Sequence, residues 1–262
     1  MGSATTQALA ATSAALTAAK GITLQTAEEL FGASRLVGSS SQLSGALADP
    51  AAPVAARAKV VETVFAGLSQ AAKDVLAAAV SQRWSDSDDL VDGIEEAAIR
   101  AAVIAEPKAD IAGELFGFLR VVAGDPQLEL ALGSRLGDAN AKGDLVQRLL
   151  VGTASAPTTL IVSSLVRQAD GRRIRQLLSR ANTIVAAQRG EIVATVHTAR
   201  ALSEAQRTRL ADALSRRYEG NVTINEVIDP SVVGGLRVQV ADDVIDGSIS
   251  ARLADLRHRL AG

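Results

Sequence analysis

Apolar residues recur every three or four positions along most of residues 1–190. Leu30, Ala33 and Val37 form one such stripe, which is the pattern of a helix that buries a single face. The main interruptions of the pattern fall at Gly21, Gly38, Asp49-Pro50, 86–89, Glu106-Pro107, 124–126 and Ala156-Pro157. Helices of roughly 10 to 18 residues between such breaks are unstable alone in water, so they must pack together. This region is predicted to be a bundle of short helices.

The helical region contains an internal repeat. The stretch EELFGASRLVGSSSQLSGAL (28–47) lies over GELFGFLRVVAGDPQLELAL (113–132), and we call the offset between the two stretches the repeat period. The identical pairs include Glu29/Glu114, Leu30/Leu115, Phe31/Phe116, Gly32/Gly117, Arg35/Arg120, Gln42/Gln127 and Leu47/Leu132. Alanine-rich low complexity does not place Phe, Gly, Arg and Gln in register, so the repeat indicates a duplicated bundle. We expect the alignment to continue without a gap as far as Val80 over Leu165.

The periodicity changes from that of helices to that of strands in the last third of the chain. The stretches EIVATVHT (191–198) and NVTINEVI (221–228) alternate with a period of two residues. Between them, Ser203 and Gln206 have the spacing of a capping box, which predicts a helix start. Gly220 is expected to end that helix, because glycine readily takes the left-handed conformation.

A glycine pair and a cluster of acids follow the second of these strands. Asp229 precedes Pro230, so we expect it to be extended and to end the strand. Gly234 and Gly235 can take the positive φ angles of a hairpin turn or a bulge. The alternation of residues 236–240 then predicts a third strand.

The acids beyond the third strand suit a turn and a helix start. Asp242-Asp243 is expected to form the turn. Asp246, Gly247 and Ser248 are predicted to open a terminal helix, because anionic and hydroxyl groups suit the unpaired amides there. Leu253 lies on the apolar stripe of that helix. We interpret all of these residues as structural.

Together the patterns predict a mainly α fold. A helical bundle region in two repeated copies, 1–105 and 106–189, is followed by a small α+β domain, 190–262. The apolar residues are mostly Ala, Leu and Val, as expected of closely packed helices. The formal net charge of −2 gives no overall positive field that would attract nucleic acid or an anionic membrane.

Nothing in the sequence predicts catalysis, a cofactor or a metal ion. The C-terminal acids and the acidic run 86–96 lack the ligand spacing and the sixth-position glycine of a calcium loop. His197 and His258 have no neighbouring residues with the spacing of a triad or a zinc site. The chain has no cysteine, and no nucleotide-binding loop motif occurs in it.

The most basic segment is RQADGRRIRQLLSR (167–180). It could be a recognition helix for phosphates or a solvated helix face with Ile174, Leu177 and Leu178 turned inward. The acidic balance of the chain and the lack of an aromatic platform favour the second interpretation, so no nucleic acid is expected as a partner. No uncharged apolar run approaches the roughly 18 residues of a membrane helix.

The C-terminal residues resemble the delta subunit of the F-type ATP synthase, called oligomycin-sensitivity-conferring protein in mitochondria. The resemblance rests on ALSEAQRTRLADAL, VIDPSVVGGLRVQV and DDVIDGSISARL. Its motif residues are Asp229, Gly234, Gly235, Asp246, Gly247, Ser248 and Leu253. The helical pattern of the family fits twice, from SQLSGALADP to Lys59 and from PQLELALGSRLGD to Lys142, whereas the ordinary family member has one helical domain.

The resemblance implies a non-catalytic subunit of the peripheral stalk, or stator. In the family, the helical domain receives the N-terminal helices of alpha subunits, and the C-terminal domain joins the C-terminal helix of the b subunit. This implies a position at the cytoplasmic face of the cell membrane, with membrane contact only through the complex. The alternative is a helical adaptor, or a regulator that contacts nucleic acid through Arg172, Arg173 and Arg175. The sequence leaves open which copy docks on the alpha subunits and whether the two copies form one fused bundle.

Overall fold

The computed structural model describes residues 2–169, 171–230, 232, 234–240 and 243–249. The chain divides into two compact units, Met1–Val185 and Ala186–Gly262. The first unit is helical, and the second contains a four-stranded sheet with one helix against it. The predicted fold class, mainly α with a small α+β domain at the C-terminus, is therefore confirmed.

The helices are α1 (Ser3–Ala18), α2 (Leu24–Gly38), α3 (Ser41–Ala48), α4 (Val54–Val64), α5 (Gln70–Ser81), α6 (Ser87–Ala105), α7 (Ile111–Gly124), α8 (Pro126–Gly133), α9 (Ala139–Leu150), α10 (Ala156–Arg167), α11 (Ile174–Gln188) and α12 (Glu204–Tyr218). The strands are β1 (Glu191–Thr198), β2 (Asn221–Ile228), β3 (Leu236–Val240) and β4 (Asp243–Asp246).

Polar side chains fix the starts of many of the helices. The residues that accept a hydrogen bond from a first-turn amide of their helix are Thr23, Ser40, Ser69, Asp86, Asp110, Asp125, Asp138 and Ser203. Each such cap pairs an amide that has no partner within the helix and contributes about 1 kcal/mol to stability. The acidic run at 86–96 therefore begins as a helix cap, as expected, because Asp86 accepts from the Asp89 amide.

The predicted apolar stripes form the core of the helical unit. Leu30, Ala33 and Val37 are buried on α2, and Leu115 and Val122 are buried on α7. Helix α6 lies at the centre: most of its residues from Leu90 to Val103 are buried, on all sides of the helix. Its many alanines let neighbouring helices approach closely, and it contacts α1, α2, α3 and α5 before it and α10 after it. A helix surrounded in this way belongs to the interior rather than to one face of a bundle.

Helices α2 to α6 recur in the same order as α7 to α11. Helices α8 and α9 begin one period after α3 and α4, whereas α10 and α11 begin later than one period after α5 and α6. The predicted alignment without a gap to Val80 over Leu165 is therefore wrong. One residue is inserted between α9 and α10, so that buried Val80 corresponds to buried Val166. The residues one period after α1 fall on α6.

The sheet of the second unit has the strand order β2-β1-β3-β4. Strands β1 and β2 are parallel, and β1 with β3 and β3 with β4 are antiparallel. Helix α12 connects the two parallel strands and packs Leu214, with Leu210 and Tyr218, against the apolar face of the sheet. The strands predicted at 191–198 and 221–228 have these bounds, and the predicted capping box of Ser203 and Gln206 is present.

Two local predictions in this unit are wrong. Helix α12 ends at Tyr218 with Glu219 in the left-handed conformation, whereas Gly220 lies so close to Ile192 that a Cβ atom would be 2.9 Å from its Cδ1 atom. Asp243 lies in β4 rather than in a turn, because β4 pairs with β3 along its whole length. Asp246 is the last residue of β4, and Ile249, directly after Ser248, is helical, as a helix start at Asp246, Gly247 and Ser248 requires. Asp242, Leu253 and His258 lie outside the described residues.

Candidate functional site

The glycine pair and the D-G-S motif meet at one corner of the sheet. Gly234 and Gly235 have φ angles of 65° and 75°, which L side chains rarely adopt. A Cβ atom on Gly235 would lie 2.4 Å from the carbonyl oxygen of Gly247. The Gly247 amide donates to the Leu236 carbonyl at 2.9 Å, and the Ile249 amide donates to the Gly234 carbonyl at 3.2 Å. The corner is thus held by backbone contacts that only glycine permits.

The acids of this corner serve the backbone and neighbouring side chains. The Asp246 carboxylate accepts from the Ser248 amide at 2.9 Å, and hydrogen bonds from the Ser248 side chain and amide hold the pKa of Asp246 below its ordinary value. The Asp229 amide donates to the Thr198 carbonyl at 2.7 Å. Within the residues that the structure describes, no three His, Cys, Asp or Glu side chains are placed to hold a metal ion together.

A half-buried polar contact occurs twice in the helical unit. Glu29 on α2 accepts from the amide and hydroxyl of Ser69, the residue that caps α5, at 3.0 and 2.5 Å. Glu114 on α7 accepts in the same way from Ser155, before α10, at 3.0 and 2.6 Å. The identity of Glu29 and Glu114 is visible in the sequence, but their partners are not, because the inserted residue shifts Ser155 by one position.

The pKa of Glu114 reflects this contact. Partial burial alone would raise the pKa of Glu114, but hydrogen bonds from the side chains of Ser155 and Thr158 and from the Ser155 amide outweigh that effect. The pKa is therefore lowered, and the carboxylate is the form that joins the two helices.

The acidic run and the basic segment meet across α6 and α11. Glu95 is buried on α6, and its two carboxylate oxygens each lie 3.3 Å from an arginine, Arg172 or Arg180. Burial raises the pKa of Glu95, and the two arginines partly offset this effect. Ile174, Leu177 and Leu178 are buried, as predicted for a solvated helix face with these residues turned inward. Arg167, Arg172, Arg175 and Arg180 of this segment are therefore paired with carboxylates rather than free for phosphates.

Two shallow grooves occupy equivalent places in the helical unit. The first groove lies between α3 and the segment joining α5 to α6, has a volume of about 640 Å³, and is lined by Gly45, Ala48, Asp49, Arg83, Trp84 and Asp86 among others. The second groove lies between α8 and the segment joining α10 to α11, has a volume of about 320 Å³, and is lined by Glu129, Leu130, Gly133, Arg172, Arg173 and Arg175 among others. Gly45 and Ala48 stand one period before Leu130 and Gly133, so the grooves correspond.

Exposed apolar side chains also recur at equivalent positions. Leu36 on α2 corresponds to Val121 on α7, and Val64 on α4 corresponds to Leu149 on α9. These four side chains have exposed fractions between 42% and 56%. Large apolar side chains that remain exposed at the same places in both halves are candidates for contact with partner chains. None of the helices in the described part of the chain has the length and apolar character needed to cross a membrane.

Comparison with known proteins gives a consistent result over the whole chain. Residues 95–260 match the family model described as "ATP synthase delta (OSCP) subunit". A protein called "ATP synthase subunit delta" from Leifsonia xyli subsp. xyli is 47% identical over 264 residues, which cover 100% of both chains. A protein with the same description from Kineococcus radiotolerans is 41% identical, and the match covers 91% of this chain and 88% of that protein. Another from Nocardia farcinica is 40% identical, and the match covers 95% of this chain and 94% of that protein. The family model begins within α6, so α1 to α5 lie before the matched residues.

Proposed function

The chain belongs to the ATP synthase delta (OSCP) family, and from this membership we infer that it is a non-catalytic subunit of the peripheral stalk of the F-type ATP synthase. The observation that carries the inference is the match over the full length of both chains with a curated delta subunit at 47% identity. A stalk subunit acts by binding other chains rather than by catalysis. It is part of a membrane-associated complex.

We propose that the helical region binds the N-terminal helices of alpha subunits and that the α+β unit binds the C-terminal helix of the b subunit. The exposed apolar positions on α2, α4, α7 and α9 support the first contact, because an amphipathic partner helix needs such a stripe. A stalk subunit that transmits torque must dissociate slowly from its partner subunits. A nanomolar contact corresponds to about −12 kcal/mol, and two contacts on one chain strengthen each other through effective concentration.

We propose that α6 is shared between the two helical copies. Helices α1 to α6 form one series of six, and helices α6 to α11 form an equivalent second series. Helix α6 is therefore the last helix of the first series and the first helix of the second. Its burial on all sides and its contacts with both α1 and α10 support this arrangement. The predicted copies, 1–105 and 106–189, would then overlap in α6 and form one fused bundle.

We propose that the second copy is the one that docks on the catalytic head. The family model covers this copy and the α+β unit, and helices α1 to α5 precede it. The second copy is therefore the helical region that matches the family model. We further propose that the protein lies at the cytoplasmic face of the cell membrane and contacts the membrane only through the complex.

Removal and restoration of the protein test the stalk function. Membranes that carry the ATP synthase are washed at low ionic strength until the chain is absent by immunoblot, and ATP-driven proton pumping is measured. We expect pumping to be lost and to return when the purified full-length chain is added. Pumping that persists after complete removal would overturn the proposal.

Peptide binding to the full-length chain tests the two partners. A peptide of the alpha N-terminus and a peptide of the b C-terminus, each taken from the same organism, are titrated separately and together. We expect both to bind at once without competition. A variant with Leu149→Glu in the second copy should weaken the alpha peptide alone, and the matched variant Val64→Glu in the first copy should leave it unchanged. Equal loss in both variants would contradict the choice of the second copy.

A further inference from the structure

The two equivalent grooves have diverged in charge. The first groove is lined by Asp49 and Asp86 and by one cation, Arg83. The second groove is lined by three arginines and one acid, Glu129. The main chain places both grooves between equivalent helices, so the difference lies in the side chains. A duplicated groove that has acquired the opposite sign of charge selects a different partner from its twin.

The three arginines of the second groove differ in how far neighbouring carboxylates neutralise their positive charge. Arg172 pairs with Glu95 and Asp92, and Arg175 pairs with Glu129 at 2.8 Å while remaining about half exposed. Arg173 is exposed, and none of the described carboxylates lies within ion-pair distance of it. Arg173 and Arg175 also line a further depression of about 410 Å³ with Gln176 and Ser179. The first turn of α11 is therefore a basic ridge between two depressions.

An apolar side chain stands beside this ridge. Leu130 lines the second groove, and 73% of its surface is exposed. The corresponding residue of the first groove is Gly45, which offers no apolar side chain. A cationic ridge next to an exposed leucine fits a ligand that carries both carboxylates and an apolar residue.

We propose that the second groove binds a carboxylate-rich peptide segment, with at least one apolar side chain, from another subunit of the complex. This rests on the proposed stalk function and adds the location and charge of one contact. A nucleic acid fits less well, because the exposed side chain of Leu130 beside the arginines has no apolar counterpart on a phosphate backbone. The first groove, with its acids, does not bind the same segment.

Charge reversal in the full-length chain tests the proposal. The variant Arg173→Glu is measured for binding to washed membranes at several salt concentrations, with Arg83→Glu in the first groove as the matched control. Because Arg173 has no carboxylate partner among the described residues, the variant should melt at the wild-type temperature. We expect binding to weaken about tenfold, with a smaller salt dependence, and the control to stay within about twofold of the wild type. Unchanged binding by Arg173→Glu would overturn the proposal.

Crosslinking in the assembled complex identifies the occupant. A photoreactive p-benzoylphenylalanine at Ser134, which lines the second groove, is activated after the chain has restored proton pumping, and the crosslinked peptide is sequenced. An acidic segment of another subunit supports the proposal, and a basic segment, a nucleic acid or no crosslink contradicts it. If the wild type restores pumping but the crosslinker at Ser134 gives no such crosslink, the groove assignment fails and the stalk function stands. If the wild type does not restore pumping, the stalk function itself fails.

Discussion

At the scale of single residues, the fold depends on a few side chains and glycines that join distant parts of the chain. The contact of Glu114 with Ser155 ties α7 to the start of α10, and Glu29 does the same for α2 and α5. Gly235 allows β3 to pass next to Gly247. In each case a polar group or the absence of a side chain lets two segments approach closely.

Replacing Gly235 should destabilise the α+β unit. In Gly235→Ala, the added Cβ atom would meet the Gly247 carbonyl oxygen at 2.4 Å, and the residue would keep a positive φ of 75°. We expect a loss of about 2 to 4 kcal/mol in the free energy of unfolding, measured in urea. Gly117→Ala on α7, where nothing lies within 4 Å, is the control and should be neutral or stabilise the protein. Equal stability of the two variants would contradict the role of Gly235.

Replacing Glu114 should give a pH-dependent loss of stability. The folded pKa of Glu114 lies below its ordinary value of 4.5, so its contribution is present above that pH and is lost as the pH falls through the folded pKa. Glu114→Gln should cost about 1 kcal/mol at pH 7, allowing for solvent screening, and less at pH 3, which lies below the ordinary pKa of the group. Urea unfolding at both pH values measures this. Glu62→Gln, in an exposed pair with Lys59, is the control and should change little at either pH.

The sequence predicts part of this residue-level picture. The identity of Glu29 with Glu114 and the positive φ of the glycine pair follow from the repeat and from steric rules. The partners of Glu114 could not be predicted, because one inserted residue displaces Ser155 and no periodicity records it. The left-handed conformation of Glu219 also escapes prediction, since sequence rules favour glycine there and place it at Gly220.

At the scale of helices and strands, α6 has a double role. Its first turn is capped by Asp86, it contacts α1 and α2, and Glu95 pairs with Arg172 before α11 and Arg180 within it. The hydrophobic pattern predicts where the helices lie because each buries an apolar stripe. It cannot predict the ion pairs between α6 and α11, because a buried glutamate and two arginines have the same sequence pattern as a solvated face. Strand β4 was missed for a similar reason, since its acids resemble a turn.

Breaking the α6–α11 ion pairs should be costly. Arg180→Gln leaves the buried carboxylate of Glu95 with Arg172 and raises the pKa of Glu95 further, so we expect a loss of about 3 kcal/mol in urea unfolding at pH 7. Adding Glu95→Gln to this variant should recover most of the loss. Since the folded pKa of Glu95 is raised, its protonation stabilises the fold below its ordinary value, and this benefit is lost as the pH rises through the folded pKa. Arg180→Gln should therefore be least harmful at low pH, and a loss that is independent of pH would contradict the explanation.

At the scale of the whole molecule, the proposed sharing of α6 would make the two helical copies one rigid body. A rigid body suits a stalk, because a hinge between the copies would absorb part of the displacement that the stalk has to resist. The repeat in the sequence predicts the two copies, but it assigns α6 to the first copy only. The proposed sharing is a matter of packing, and the burial of α6 on all sides supports it.

Truncation tests the sharing of α6. The chain 86–262 keeps α6 and the complete second series, whereas 106–262 lacks α6 and leaves Arg172 and Arg180 without Glu95. We expect 86–262 to unfold cooperatively in urea and 106–262 to show a broad transition with exposed apolar surface that binds a fluorescent dye. The full-length chain is the reference. Cooperative unfolding of 106–262 would show that α6 belongs to the first copy alone.

The period of the helical region has a consequence for how such a chain can change length. Excision of one period in frame, for example by joining Leu47 directly to Gly133, leaves α1 and α2, one helix spliced from α3 and α8, and then α9, α10 and α11. Six helices in the original order remain, because the cut ends come from matching points of the same helix. Shortening by a whole period between α3 and α8 would therefore keep the order of the helices and the register of the spliced helix.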